Sequence, residues 1–140
     1  MTEQIMDAIL AALQAHAWDG TAPASYHFGP IPATALTPAV GILPGEQTSA
    51  DKPLVSEAEE TFTIGIASEF DPADAEAHIR AALGIREEIK GIMWDAVSWG
   101  IPGVEISSYR SSSTNLGLLE GGNYVMEITI TLAVTYRDEF

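Results

Sequence analysis

The chain has 140 residues, carries 20 acidic against 6 basic side chains for a formal net charge of −14, and contains no cysteine. That length is enough for one domain with a real core, and the lack of cysteine excludes disulfides, thiolate zinc sites and cysteine nucleophiles. The cations Lys52, Arg80, Arg86, Lys90, Arg110 and Arg137 are scattered, which argues against a grip on a nucleic-acid backbone.

The first element is an amphipathic helix from Thr2 to Ala17, with Ile5, Ile9, Ala12, Leu13 and His16 at helical spacing and Ala8 and Leu10 widening the face. Thr2 is placed to cap it, with Glu3 in the first turn. Glu3 and Asp7 stand where a secretion signal would carry lysines, and no apolar run approaches a membrane span. A soluble protein made in a cytosol is the expectation.

From Trp18 to Thr37 the abundance of Pro, Gly and small residues predicts an irregular connection. Ala39 to Leu43 is a short apolar strand, stopped by Pro44 and Gly45. Gly45 to Pro53 is polar and predicts a loop, part of a flexible stretch at about 44–56. A second strand covers Ala58 to Ser68, with Phe62, Ile64 and Ile66 on one face and Thr61, Thr63 and Ala67 on the other.

Asp71-Pro72-Ala73-Asp74 is a helix start with an acidic cap and Pro at the first helical position. The helix is expected to reach about Trp99, with Ile79, Ala82, Leu83, Arg86, Ile89, Met93, Ala96 and Val97 in one stripe. Gly100, Pro102 and Gly103 end it. A third strand follows from Val104 to Arg110, then Ser111 to Asn123, bracketed by serines and glycines, which is a loop or an extended hairpin tip and makes a second flexible segment at 111–123.

The last strand, Tyr124 to Tyr136, alternates most clearly. Tyr124, Met126, Ile128, Ile130, Leu132, Val134 and Tyr136 share one parity, against Glu127, Thr129, Thr131, Ala133, Thr135 and Arg137 on the other, with Val125 the bulky exception. At roughly 44 Å it is longer than a small core requires, which suggests pairing across a subunit boundary. Helix, strand, strand, helix, strand, strand predicts an α+β fold: a mostly antiparallel four-stranded sheet packed against two helices, in a single domain over 1–140.

Chemistry leaves little trace. His16 reads as a packing residue, His78 as an edge residue, and His27, between Tyr26 and Phe28, as the one histidine to inspect. No hydrolase elbow, zinc-protease pair or phosphate-cradling glycine loop is present. Glu57, Glu59 and Glu60 read as the charged start of a strand, and Glu87 and Glu88 as the solvent face of a helix. None has calcium-loop spacing. Trp94 and Trp99 read as core or interface. No catalytic residue, metal or cofactor is therefore assigned. Leu116, Leu118 and Leu119 are either tucked onto the domain or presented to a partner.

The order and texture of these elements resemble the tail terminator, or tail-completion, proteins of long-tailed bacteriophages. The matching features are the amino-terminal helix, the strand Phe62 to Ala67, the acid-capped helix from Asp71, the Gly-Pro-Gly turn, and the alternating strand Tyr124 to Arg137. The segment from Trp18 to Thr37 and the acidic balance are departures. The resemblance implies a structural virion protein of the tail neck, assembled in the host cytoplasm as a homo-oligomeric ring, typically a hexamer. Its partners would be the tail tube protein and a head-completion or connector protein. DNA would pass without specific binding, no membrane would be involved, and no reaction would be catalysed. Candidate interface residues are Leu116, Leu118, Leu119, Thr129, Thr131 and Arg137. A head–tail joining or minor tail protein is the neighbouring alternative, and a small-molecule-binding α+β domain or enzyme the more distant one.

Overall fold

The computed structural model describes residues 1–51, 55–95, 101, 104–119 and 121–139. The side chains of 46–51, 55–57, 94, 95, 105–111 and 137–139 fall outside the described residues. The elements are α1 (Thr2–Ala15), β1 (Ser25–Phe28), β2 (Ala39–Asp51), β3 (Val55–Phe70), a 3-10 turn (Pro72–Asp74), α2 (Ala75–Asp95), β4 (Val104–Leu118) and β5 (Tyr124–Glu139). The strands form one five-stranded sheet in the order β1-β2-β3-β5-β4. β1 runs parallel to β2 and every other pair is antiparallel.

The fold is α+β with two helices and a mostly antiparallel sheet, but the sheet has five strands rather than four and is mixed, because the added strand β1 pairs in parallel. The added strand lies inside the segment read as irregular. The four residues of β1, Ser25–Phe28, are too few for alternation to register as a pattern. The stretch from 45 to 51, read as a loop, is strand, and the segment at 111–123, read as a loop or an extended hairpin tip, is a hairpin with strand to Leu118 and a turn at 121–123. β2 continues through the polar residues to Asp51 with a register shift between Pro44 and Gln47, and β4 continues through the serines to Leu118. Polar, glycine-containing sequence signals a loop only while nothing pairs with it; here the long partners β3 and β5 supply the ladder.

β3 and β5 pair without interruption from Val55↔Glu139 to Phe70↔Tyr124. That corrects the argument from the length of β5. Both of its edges are filled within the chain, by β3 and β4, so its length serves a long internal ladder and not a pairing across subunits.

The core lies on one side of this sheet. Ile5, Met6, Ile9 and Leu13 of α1 and Ala82, Ile85, Ile89 and Met93 of α2 pack onto Val40 and Ile42, onto Phe62, Ile64 and Ile66, and onto Met126, Ile128, Ile130, Leu132 and Val134. The even-numbered face of β5 therefore meets the helices, as its alternation requires. Burying an aliphatic or aromatic side chain of this size contributes about 1.5–3 kcal/mol.

The Asp71 cap forms: Ala73 N–H donates to its carboxylate at 2.9 Å, with Pro72 next to it. Thr2 does not cap α1. Met1 is the N-cap residue and makes no side-chain cap bond, while Thr2 turns inward. The expected end of α2 at Ala96 to Trp99 and Gly100 to Gly103 lies outside the described residues except for Ile101, as do the side chains of Trp94 and Trp99.

Candidate assembly surface and groove

The side of the sheet away from the helices is made of small and polar residues. Across the strands, Leu43, Thr63 and Thr131 form one row; Gly41, Gly65 and Thr129 the next; Ala39, Ala67 and Glu127 the third. With so little side-chain height, the segment after β1 can lie on the sheet. Gly41 shows how close it comes: a Cβ there would stand 2.7 Å from the Gly29 carbonyl oxygen and 2.8 Å from Ile31 Cγ1. Gly29 itself has φ 119°, the left-handed region that glycine adopts freely, and it makes the turn out of β1.

Between this crossing segment and the strands runs a groove of about 610 Å³. Pro30, Ile31, Pro32, Leu43, Leu119 and Val125 give it an apolar lining, and Thr37, Thr63, Thr129, Glu69 and Glu127 supply polar groups. Val125, the exception in the alternation of β5, is thereby explained: it faces the groove. Asn123 Nδ2 donates to Glu69 Oε1 at 3.4 Å beside the lining.

The expected interface residues separate. Leu119 and Thr129 meet at the groove, and Thr131 lies half-buried one row away, opposite Thr63 and Ser111. Leu116 and Leu118 stand on the helix side of β4, in register with Met126 and Tyr124. They are 56% and 68% exposed, because the helices pack on β1, β2, β3 and β5. Arg137 pairs through its backbone with Glu57, and its side chain lies outside the described residues. Ile31, Gly41, Gly65, Glu69 and Glu127 were not singled out in the sequence. The available signal was glycine at mid-strand, at 41 and 65, which marks close backbone approach.

Two carboxylates, Glu60 read as part of a charged strand start and Glu88 as solvent-facing, are instead held in hydrogen bonds between elements. Glu60 is 3% exposed and accepts hydrogen bonds from Thr2 Oγ1 at 2.6 Å and the Tyr136 hydroxyl at 3.1 Å. It is not a charged strand start; it sits at the amino end of α1, where the helix dipole favours negative charge. Glu88 accepts from the Asp19 N–H at 2.8 Å and the Gly20 N–H at 3.4 Å, and lies 3.0 Å from His16 Nε2. The Asp19 N–H holds this carboxyl below the usual carboxylate range against the opposing effect of burial, and His16 and the Gly20 N–H add to the lowering. Glu87, by contrast, is on the solvent face and pairs with Arg86 and Lys90.

Each histidine has a defined neighbour. His16 packs edge-on against Trp18, with ring centroids 4.8 Å apart. His78 stacks on Phe70, which stacks on Tyr124. His27 Nε2 is 2.9 Å from Ser25 Oγ, but that hydroxyl donates to the Leu36 carbonyl at 2.7 Å, so its proton is already committed. Among the described residues no three His, Asp or Glu side chains come together to hold a metal ion, and no helix is long and apolar enough to cross a membrane.

No family model matches the chain, and no curated protein matches it. Among solved structures it is similar to a chain of the virion of a native gene transfer agent (GTA) particle. The two share 17% identity at a TM-score of 0.49, with 94% of each chain covered.

Proposed function

We propose that this chain is a structural protein of a phage-like virion and, more finely, a tail terminator. In that role it forms a ring that caps the tail tube, stops its growth and gives the head's connector a surface to dock on. The observation that carries the reading is the exposed apolar cluster of Leu116 and Leu118 on the helix side of β4. They are 56% and 68% exposed, among the most exposed large apolar side chains of the described residues. Such a cluster on a rigid sheet serves recognition rather than catalysis. The sequence resemblance supplies the tail context. In this reading the partners are further copies of the chain, the tube and the connector, no bond is made or broken, and the protein resides in the virion neck. The net charge of −14 keeps DNA phosphates from adhering as the genome passes.

The test is genetic. Deleting the gene from the particle-forming element that carries it is expected to give overlong tail tubes without heads. Tails of normal length joined to heads would defeat the terminator role. A head–tail joining protein would instead leave normal-length tails unattached, which separates the neighbouring reading.

A ligand-binding domain is the second reading, favoured by the groove of about 610 Å³ between the crossing segment and the sheet. Its volume suits a small amphiphile. A thermal-shift screen with such compounds tests it, and saturable stabilisation lost on Thr129→Trp would support it.

A further inference from the structure

We propose that copies of this chain join head to tail through the two edges of the sheet, β4 of one copy adding to β1 of the next. The proposal rests on the ring reading only in relating the copies head to tail; the geometry itself comes from the strand order.

The two edges match in direction and in level. β1 is parallel to β2, and three antiparallel steps lead from β2 to β4, so β1 and β4 run oppositely. The register also sets them at one height. His27, Gly41, Gly65, Thr129 and Ser113 form a single row across the sheet. A neighbour in the same orientation therefore presents β1 antiparallel to the outer half of β4, which is the geometry of strand addition.

The edge of β4 lacks the devices that keep edges apart. From Ser112 to Leu119 there is no charged residue and no proline, and Ser25 to Phe28 likewise has no Asp, Glu, Lys or Arg. Monomeric proteins blunt long edges with lysine, proline or very short strands. The neutrality also selects the occupant. Two copies that each carry −14 repel across most of their surface, and they can approach most easily where both are uncharged. A cationic partner would instead be drawn to the acidic surface.

Apolar side chains flank the matched segment: Phe28 is level with Ser112, and Leu116 and Leu118 lie just past the level of Ser25. Leu116 and Leu118 lie on the helix side of β4 at 56% and 68% exposure, and Phe28 on β1, in register with Ile42, is 50% exposed. Because α1 packs on β1 and β2, a neighbour joined through β1 brings its own α1 to the side of the sheet where Leu116 and Leu118 stand uncovered.

The test uses the full chain and a complementation. Leu116→Glu with Leu118→Glu spoils the β4 edge, and Phe28→Glu spoils the β1 edge; all three positions are exposed. By light scattering, the wild type at high concentration is expected to be oligomeric and each variant monomeric, with unchanged circular dichroism. Mixing the two variants should restore one intact interface per pair and give a 1:1 dimer. Leu116→Ser with Leu118→Ser provides a second β4 variant should the acidic one fail to fold. Oligomers that persist in both variants, or variants that do not pair on mixing, would overturn the edge pairing while leaving the tail role to the deletion experiment. A wild type that stays monomeric at high concentration would overturn it as well.

Discussion

The two faces of the sheet follow different rules. The helix side is closed by large apolar side chains, whereas the opposite side is built from glycine, alanine and threonine under a single crossing segment. Closure on one side fixes the fold and leaves little freedom for function. On the other side the small residues leave space, and that space is the groove. The comparison teaches that the side with the weaker hydrophobic signal is the one able to meet something else.

The largest expected effect lies on the closed side. Phe62 is fully buried at mid-sheet, between Ile64 and the buried carboxylate of Glu60. Phe62→Ala should cost about 3–5 kcal/mol, because removing an aromatic ring from a packed core leaves a cavity that the neighbours fill only in part. Urea denaturation measures it. A loss below 1 kcal/mol would mean that the two sides differ less than their packing suggests.

Legibility divides along the same line. The alternation of β5 and the spacing of Ile5, Ile9 and Leu13 could be read from the sequence because burial on one face imposes a period. β1 could not, since four residues hold no period, and the outer halves of β2 and β4 could not, since their polar residues carry the composition of loops. The placement of Glu60 and Glu88 is hidden for a related reason. Composition marks a carboxylate as exposed, and only tertiary placement brings the Thr2 and Tyr136 hydroxyls, or the Asp19 N–H, to it. Of the candidate surface, the leucines near 116–119 were legible as apolar residues in polar surroundings. The groove was not, because it depends on which segment crosses Gly41.

Gly41→Ala should come second. Its added carbon would meet a backbone carbonyl and Ile31 at under 3 Å, so the crossing segment must lift. Overpacking of this kind costs about 1–3 kcal/mol. Hydrogen exchange is expected to rise at Gly29 and Ala35, whose N–H groups bond the Ile42 and Pro32 carbonyls, while the helix-side core stays protected. Loss of protection in α1 and α2 as well would show that the two sides are one cooperative unit.

The clamp between α2 and the end of α1 gives a smaller, pH-dependent effect. Glu88 has its folded pKa lowered, chiefly by the Asp19 N–H. Its contribution is therefore fully present above the ordinary carboxylate pKa and lost as pH falls through the lowered folded value. Glu88→Gln should cost about 1–2 kcal/mol at neutral pH, as expected for hydrogen bonds to a charged acceptor. The difference from wild type should vanish at acid pH. A difference that stayed constant with pH would assign the loss to packing.

The smallest effect sharpens the contrast most. Gly65 pairs with Gly41 across β2 and β3, yet a Cβ on Gly65 would find only Ile31 Cδ1, at an ordinary 4.0 Å. Gly65→Ala therefore adds no clash and removes backbone freedom from the unfolded chain, which stabilises by about 0.4–1 kcal/mol where the native conformation suits alanine. Neighbouring glycines on one face should thus respond with opposite signs, and the sign depends on the crossing segment alone. If Gly65→Ala destabilised as much as Gly41→Ala, the segment would have to press on both strands, and the groove between them would be closed in solution.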